Sequence, residues 1–579
     1  MQEKIKSLVS NDNSRGDIIT PLLLIILVVI TRIPFTSKFL YEWDSVNFAL
    51  ALDKYDILLH QPQPPGYILF VGLGKVFNQI FQDVNITLVF MSILFSTLTV
   101  ILVYYLGKQL FSRNVAITGT ILLIFSPIFW FYGEIATIYP SEAFLAILIA
   151  YTSYQMLKGR RNFLYLSSIA LGLAGGFRQD LIPFMFPLWL FCLLYPERNH
   201  KRMIIRMFTA FAVLGASILL WLIPTILLAG GLESYLNSSG HFSASFKTSS
   251  VLFGASISNH LLMDGMLASW LMIGLGFLGG FLILLFIILK RKSIVNKGMF
   301  KNPKFIFTSL WILPSFLFLV FIPLSKPGYT LTFLPALTLI LGYVLITFSR
   351  DISLKFNISL KSVCSAMLII YIVLNSVYFL YPYNLNEKST WETQITNMNS
   401  TEKIILGLDM FFMYNHEKIT NNDQNMDWHL EIIGNLSNSN PNSTEIIIRD
   451  IIREDQGFSW RKAMYQLPEY GVYYLFDSDN SQLKSNKLDS QVTFSYGKNH
   501  TYQSSQSSLL EIPIKSSTER IVWIMDDRSQ FFQELQSQIE IRTIKLPNDL
   551  NIYYSDVKDK KIDLKVGKFI FKTNNTTAK

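Results

Sequence analysis

The sequence predicts an all-α polytopic membrane domain of about eleven transmembrane helices, followed by a soluble mixed α/β domain. The 579 residues are 50% hydrophobic and 16% charged, whereas soluble domains carry about a quarter charged residues. Apolar blocks follow one another from residue 21 to 381, and residues 384–579 are rich in Asn, Ser, Asp and Lys. We therefore predict a transmembrane domain over residues 1–382 and a soluble domain over residues 383–579.

The transmembrane helices are predicted from apolar segments of roughly 20 residues, the length that crosses the hydrocarbon core. A further apolar stretch, residues 66–80, is interrupted by Gly72, Gly74 and Lys75, which favours an interfacial or re-entrant helix. The eleven predicted spans are 18–34, 86–106, 114–131, 140–157, 163–177, 181–195, 203–229, 261–289, 304–323, 329–348 and 359–381.

Loop charges predict the orientation. Lys and Arg are concentrated in alternate loops that share a side with the N-terminus, which places that side in the cytoplasm. An odd number of crossings then puts the C-terminal domain on the extracytoplasmic face of a cell membrane. We favour a prokaryotic plasma membrane, because the sequence has no eukaryotic retention signal. These loops also explain the net charge of +9, and nucleic acid is excluded as a partner because no basic patch is interleaved with aromatic residues.

The first outer loop, residues 35–85, carries the acidic residues Glu42 and Asp44 directly after a membrane helix. A carboxylate at the membrane boundary is costly unless it is hydrated, paired or used. One use is as a general base that takes a proton from an acceptor hydroxyl. The alternative, that both acids are simply solvated, is favoured by loop position alone.

The shorter outer loops add Glu134, the run Arg178-Gln179-Asp180 and the run Lys326-Pro327-Gly328-Tyr329. Arg178 and Lys326 are outer-face cations that run against the orientation bias. Cations at the boundary, near a carboxylate, suit a lipid-linked phosphate whose charge they would neutralise. The alternatives are snorkelling side chains, or a structural ion pair between Arg178 and Asp180.

Taken in order, these motifs resemble the GT-C superfamily of polyprenyl-phosphate-sugar-dependent glycosyltransferases, which includes protein O-mannosyltransferases and the lipid A aminoarabinose transferase. The resemblance covers about residues 18 to 381, and the tail segment 460–470 looks like one seen in other members. The family often has a histidine directly before Pro-Pro-Gly-Tyr, whereas His60 lies three residues further away. The motifs are Glu42-Trp43-Asp44-Ser45, Pro64-Pro65-Gly66-Tyr67, Glu134 with Tyr139, Gly176-Phe177-Arg178-Gln179-Asp180 and Lys326-Pro327-Gly328-Tyr329.

The resemblance implies an outer cavity that a polyprenyl (dolichyl or undecaprenyl) phosphate sugar enters from the membrane lipid, while a protein, lipid or glycan acceptor comes from water. It implies transfer with inversion. No cofactor is expected, a divalent metal is neither expected nor excluded, and the oligomeric state is left open. The implied roles are general base for Asp44, further catalytic acids for Glu42 and Glu134, phosphate binding for Arg178 and Lys326, and the substrate cavity for His60, Tyr67, Asp180 and Tyr329.

The tail and two rival functions complete the prediction. Strand-like runs at 445–452, 472–476, 509–514, 520–525, 539–546 and 569–571 predict the mixed α/β domain, for which we expect an acceptor-binding or lid role. A secondary transporter would instead show internal symmetry and charges deep in the membrane. An oligosaccharyltransferase, which moves a whole glycan, usually has a divalent metal and a Trp-Trp-Asp-type motif in its outer domain.

Overall fold

A computed structural model describes residues 14–243, 250–294, 301–323, 326–381, 414–437, 440–449, 458–476, 490–505, 509–527, 529–547 and 550–574. Their contacts form two compact units. The membrane unit contains the chain up to Ser37, the helices from Ala51 to residue 381, and residues 414–418. The C-terminal unit contains Lys38–Leu50 together with the described residues from Ile419 onward. The predicted domain boundary at residues 382/383 lies outside the described residues.

Sixteen helices are described from Ser14 to Leu380, and the unit boundary falls within the second of them. They are α1 Ser14–Arg32, α2 Trp43–Asp53, α3 Ile68–Phe81, α4 Val84–Leu110, α5 Arg113–Ile124, α6 Pro127–Tyr132, α7 Tyr139–Leu157, α8 Asn162–Phe177, α9 Leu181–Leu194, α10 His200–Leu228, α11 Leu232–Ser243, α12 Ile257–Leu275, α13 Phe277–Ile294, α14 Pro303–Phe321, α15 Leu334–Phe356 and α16 Leu360–Leu380.

The polytopic all-α architecture is confirmed. Among the described residues, 6 helices are long and apolar enough to cross a membrane, namely α1, α4, α10, α14, α15 and α16, and α12 with α13 would make a seventh. The count of eleven crossings stays a prediction, because several predicted spans are short helices. For example, α8 and α9 have 16 and 14 residues, fewer than the roughly 20 that span the hydrocarbon core perpendicularly.

Two predicted spans are broken. The span 114–131 is divided into α5 and α6, because Pro127 has no backbone N–H and begins a new helix. The span 261–289 is bent by 101° between α12 and α13. Gly276 makes the bend with φ +69°, and its Cβ, if it had one, would lie 2.5 Å from the Asn375 amide nitrogen. The stretch predicted as interfacial or re-entrant is α3.

The lipid-facing surface and the interior of the membrane unit differ as expected for a bilayer protein. Exposed apolar side chains cover the outside of the helices, for example Phe208 at 77% and Leu220 at 71% exposure. Inside, α5 and α15 approach closely at Gly119 and Gly342, where a Cβ on Gly342 would lie 2.8 Å from the Gly119 nitrogen. Small residues at such crossings let helix backbones pack by van der Waals contact.

The C-terminal unit is a mixed α/β domain, as predicted. A seven-stranded sheet has the order β4-β3-β2-β1-β6-β8-β7, and a three-stranded sheet has the order β5-β10-β9. The central strand β1 pairs in parallel with β2 and β6, and all six of its residues are buried. Its run of isoleucines suits a strand covered on both faces.

The strands are β1 Thr444–Arg449, β2 Gly471–Phe476, β3 Ser490–Tyr496, β4 Asn499–Ser505, β5 Leu510–Lys515, β6 Arg520–Ile524, β7 Arg542–Lys545, β8 Asn551–Asp556, β9 Asp563–Val566 and β10 Phe569–Asn574. The helices are α17 His416–Leu436, whose first residues belong to the membrane unit, α18 Trp460–Gln466 and α19 Gln530–Gln538. Each predicted run contains a strand, and residues 450–452 of the first run lie outside the described part.

Candidate active site

Asp44 lies in the first turn of α2, and its residue is half-buried. The helix begins directly after Glu42, whose backbone N–H donates to the Ser45 hydroxyl at 3.2 Å and whose carbonyl accepts from Val46 at 3.3 Å. Glu42 therefore occupies the N-cap position, and the residue is 3% exposed. Asp44 is the more accessible of the two predicted acids, and the positive end of the helix dipole lies beside its carboxylate.

The segment that carries these acids is part of the C-terminal unit. The Asp423 carboxylate accepts the backbone N–H groups of Lys38 and Phe39 at 2.7 and 3.1 Å. Arg461 Nε donates to Asn47 Oδ1 at 2.8 Å. These contacts were not foreseen, since they join positions 384 to 414 residues apart that no local pattern connects.

In the membrane unit, Arg178 is the centre of a buried ionic cluster. It follows α8 in an extended conformation, with φ −155° and ψ 119°. Its Nη1 pairs with Glu142 Oε1, and its Nε donates to Asp180 Oδ2 at 3.0 Å. The Arg178 and Glu142 side chains are 6% and 1% exposed, and that of Asp180 is 26% exposed. Burial lowers the pKa of Arg178, but Asp180 and Glu142 more than offset this, so that the guanidinium stays charged.

Tyrosine rings enclose the same guanidinium. Its carbon lies 4.1 Å from the Tyr329 ring centroid and 5.3 Å from that of Tyr139, distances typical of cation–π contacts. Gly328 permits this packing, because a Cβ there would lie 2.2 Å from the Tyr139 ring. Tyr67 is a further electrostatic neighbour of Arg178. The structure thus brings together four predicted residues, Tyr67, Arg178, Asp180 and Tyr329.

Lys326 belongs to the loop that carries Tyr329. It is half-buried and extended, with φ −130° and ψ 133°, immediately before the 3-10 helix Pro327–Thr332. The backbone therefore places this second predicted cation three residues from the ring that contacts Arg178. Arg178 itself is compensated by two carboxylates. Together with its neighbours it forms the Arg178 cluster, which consists of Tyr139, Glu142, Arg178, Asp180 and Tyr329.

Glu134 lies in a second polar cluster of the membrane unit. The residue is fully buried in the turn before α7, and its Oε2 lies 3.4 Å from His416 Nδ1. Burial raises the pKa of Glu134 well above its ordinary value, and the charge of Arg32 offsets this only in part. Arg32 is itself fully buried, with Nη2 donating to the Ile124 carbonyl at 2.7 Å. A carboxyl group in this position can hydrogen-bond a polar ligand and so help to position it.

His60 differs from these buried groups in its exposure. It is exposed and adopts a left-handed conformation with φ 55° at the end of the 3-10 helix Ile57–Leu59. Tyr67, seven residues later, is 9% exposed and is also left-handed, with φ 44°. The Pro-rich segment between them therefore connects an exposed turn to a buried tyrosine at the start of α3.

Two residues of these clusters were missed by the sequence reasoning. Glu142 had a signal, since it is a carboxylate inside the apolar segment 140–157 and such a residue is costly in a membrane unless paired. His416 had none, because only the fold brings the start of α17 beside Glu134.

Residues 63–228 match the sequence model of the dolichyl-phosphate-mannose-protein mannosyltransferase family. This match confirms the resemblance predicted from the sequence and the class of enzyme, a multi-pass membrane glycosyltransferase of the GT-C type. No curated protein shows significant sequence similarity to the chain.

Solved structures of two proteins show a partial likeness. One is ArnT from Cupriavidus metallidurans bound to undecaprenyl phosphate, with a TM-score of 0.48 and 10% identity over 85% of this chain and 98% of that chain. The other is the Archaeoglobus fulgidus oligosaccharyltransferase in the apo form, with a TM-score of 0.43 and 13% identity over 79% of this chain and 64% of that chain. Both TM-scores lie below 0.5, so the assignment to this class of enzyme rests on the family match.

Proposed function

We propose that this GT-C membrane glycosyltransferase transfers a single sugar from a polyprenyl phosphate to a hydroxyl acceptor on the extracytoplasmic face of the membrane, with inversion. The family matched by residues 63–228 is described by a dolichyl phosphate mannose donor and a protein acceptor. That description supports a lipid monophosphate sugar as the donor class and a protein hydroxyl as one acceptor class.

The observation that carries the proposal is the half-buried residue Asp44 in the first turn of α2. A general base must reach the acceptor hydroxyl and be held in place. Glu42 is less suited to this role, because its residue is 3% exposed and its backbone caps the helix. We therefore assign proton transfer to Asp44 and a supporting role to Glu42.

The reaction is a single displacement. Asp44 takes the proton from the acceptor hydroxyl, and the acceptor oxygen attacks the anomeric carbon of the sugar. The bond between that carbon and the phosphate oxygen breaks, and the polyprenyl phosphate leaves with the electron pair. One attack from the face opposite the leaving group inverts the anomeric configuration. In this displacement the bonds, the proton and the electron pair are all accounted for by donor, acceptor and Asp44.

The leaving phosphate gains negative charge, which a nearby cation stabilises. We propose that Lys326 and Arg178 provide this charge. Arg178 also packs against Tyr329, which lies in the loop that carries Lys326. Tyr67 and Asp180 contribute polar groups around the sugar, and Glu134 orients donor or acceptor.

The proposal is tested with purified full-length protein and a panel of radiolabelled polyprenyl-phosphate sugars, with serine- and threonine-containing peptides, lipids and glycans as acceptors. We expect transfer from at least one donor, and a product whose anomeric configuration, determined by NMR, is opposite to that of the donor. Retention of configuration would contradict the single displacement. No transfer from any donor would contradict the assignment of the donor class.

A further inference from the structure

We propose that α18 of the C-terminal unit is the positioning element for the Asp44 base, with Arg461 acting through Asn47. The inference rests on the proposed role of Asp44. It gives the soluble part of the chain a function in catalysis in place of the lid or acceptor-binding role expected from the sequence.

The contact between Arg461 and Asn47 is buried and directional. The two residues are 1% and 0% exposed, and Arg461 Nε donates to Asn47 Oδ1 at 2.8 Å. Asn47 follows Asp44 by three residues on α2, so the two side chains lie on neighbouring positions of one helix face. A buried hydrogen bond is costly to break because its groups lose their partner without regaining water. The bond therefore fixes the rotation of the helix turn that carries Asp44.

A contact between two aromatic rings also joins this turn of α2 to α18. The centroids of Trp43 and Trp460 lie 5.8 Å apart. Trp460 is itself fixed on the sheet, since it stacks on Tyr474 of β2 at 5.6 Å and donates from Nε1 to Ser495 Oγ of β3 at 3.2 Å. The α2 turn is thus connected to the seven-stranded sheet through Trp460 of α18.

The chain that leads into α2 is held by α17. Asp423 accepts two backbone N–H groups, and Lys38 Nζ lies 2.7 Å from Asp427 Oδ2. Lys462 of α18 connects this helix with α17, because its Nζ donates to Asn422 Oδ1 at 2.6 Å. The segment 38–50 is therefore held at two places: by α17 at Lys38 and Phe39, before α2 begins, and by α18 at Asn47, within α2.

Placement of this kind matters for a base. A displacement of about 1 Å at the reacting groups can cost about 100-fold in rate, and catalytic groups are held by neighbours whose own conformations are locked. Arg461 contacts Asn47 and acts through the α2 backbone. It is a positioning residue, and its loss is expected to lower the rate of the chemical step while leaving donor binding intact.

The test compares Arg461→Gln, Arg461→Lys and Asn47→Ala in the full-length protein, with Arg520→Gln as the control. Arg520 lies on β6 of the same unit and pairs with Asp556 at 2.8 Å. We expect Arg461→Gln and Asn47→Ala each to lower kcat at least tenfold with an unchanged KM for the donor. The double variant should lose little more than either single one, because both remove the same bond. Arg461→Lys should recover part of kcat, and the control should keep wild-type kcat.

A second measurement does not depend on activity. Hydrogen exchange of the backbone amides of residues 45–50 should accelerate in Arg461→Gln and in Asn47→Ala, and stay at the wild-type rate in Arg520→Gln. Wild-type exchange and kcat in both test variants, with Asp44→Asn inactive, would overturn the inference and leave the proposed function standing. If the wild-type protein transfers no sugar, the proposed function fails, and the exchange rates still decide whether α18 holds α2.

Discussion

At the scale of the residue, Arg178 shows how a charge can be kept inside a membrane protein. Its guanidinium is compensated by two carboxylates of unequal burial and covered by two tyrosine rings. Buried ion pairs are weak evidence for stability, but removing one partner leaves an uncompensated charge. The more deeply buried partner should therefore matter more.

This leads to a prediction for Glu142 and Asp180, whose side chains are 1% and 26% exposed. We expect Glu142→Gln to lower the free energy of unfolding by about 3 kcal/mol, which is the lower end of the range for removing one partner of a buried ion pair. Asp180→Asn should cost clearly less, since its side chain is partly exposed. Thermal unfolding of both variants in the same detergent shows which is less stable. A larger loss of stability in Asp180→Asn than in Glu142→Gln would contradict the prediction.

A second residue-scale prediction concerns Gly328. An added Cβ would lie 2.2 Å from the Tyr139 ring, so Gly328→Ala must displace one wall of the Arg178 cluster. We expect donor affinity to fall about tenfold, equivalent to about 1.4 kcal/mol. Binding of a labelled polyprenyl-phosphate sugar measures this. Gly72→Ala on α3, where nothing lies within 4 Å of the added atom, is the control and should bind as the wild type does.

At this scale, the sequence was informative where a charged residue interrupts an apolar pattern. Arg178 and Lys326 were found because outer-face cations oppose the orientation bias, and the predicted alternative of an Arg178–Asp180 pair is present at 3.0 Å. The partner Glu142 could have been found by the same reasoning. The neighbourhood of Glu134 with His416 could not, because contacts over almost 300 positions leave no local signal.

At the scale of the element, hydropathy located helices well and could not foresee their breaks. The predicted span 140–157 is Tyr139–Leu157 and the span 86–106 lies within Val84–Leu110, because apolar length alone determines such helices. The bend between α12 and α13 depends on one glycine. In the tail, β4 was missed because its sequence, Asn499–Ser505, is polar throughout.

The bend gives a prediction at this scale. Gly276 has φ +69° and ψ 147°, a region that side chains with a Cβ rarely adopt, with strain of about 1–3 kcal/mol. An added Cβ would also lie 2.5 Å from Asn375. We expect Gly276→Ala to lower the thermal unfolding temperature by several degrees. Gly215→Ala on α10, where the added atom meets nothing within 4 Å, should leave it unchanged, and equal values for both would contradict the account of the bend.

At the scale of the whole molecule, the two compact units do not follow the order of the sequence. Composition predicts a helical membrane part followed by a mixed α/β part, and the structure has helices of membrane-spanning length and a C-terminal unit with two sheets. Residues 38–50 nevertheless belong to the C-terminal unit. The pairing of Lys38 with Asp427 is one reason. A short segment of an early loop packs on a domain that follows several hundred residues later. Composition does not indicate such a long-range contact.

The stability of the C-terminal unit should depend on pH through Glu445. This residue is 1% exposed on β1, and burial raises the pKa of its carboxyl to about 7, against a partial offset from the Lys515 backbone N–H at 3.2 Å. The folded state therefore keeps the proton that the unfolded chain releases near pH 4.5. Stability is full below that pH and is lost as the pH rises to about 7, by about 3 kcal/mol in total.

Hydrogen exchange of the β1 amides in the full-length protein, corrected for the intrinsic effect of pH, measures this loss between pH 4.5 and 8. In Glu445→Gln the dependence should largely disappear. Glu511→Gln on the exposed side of β5 should keep it. A wild-type protein whose β1 protection is the same at both ends of this range would contradict the prediction.

The central claim is that Asp44 removes the acceptor proton during transfer from a polyprenyl-phosphate sugar. Single-turnover transfer by the purified full-length protein, with donor bound before the acceptor is added, tests it most directly in Asp44→Asn and in Asp53→Asn on the same helix. We predict that Asp44→Asn binds donor as the wild type does and transfers at least 1,000-fold more slowly, a loss of about 4 kcal/mol in transition-state stabilisation, whereas Asp53→Asn transfers normally. Transfer by Asp44→Asn at the wild-type rate would contradict the claim.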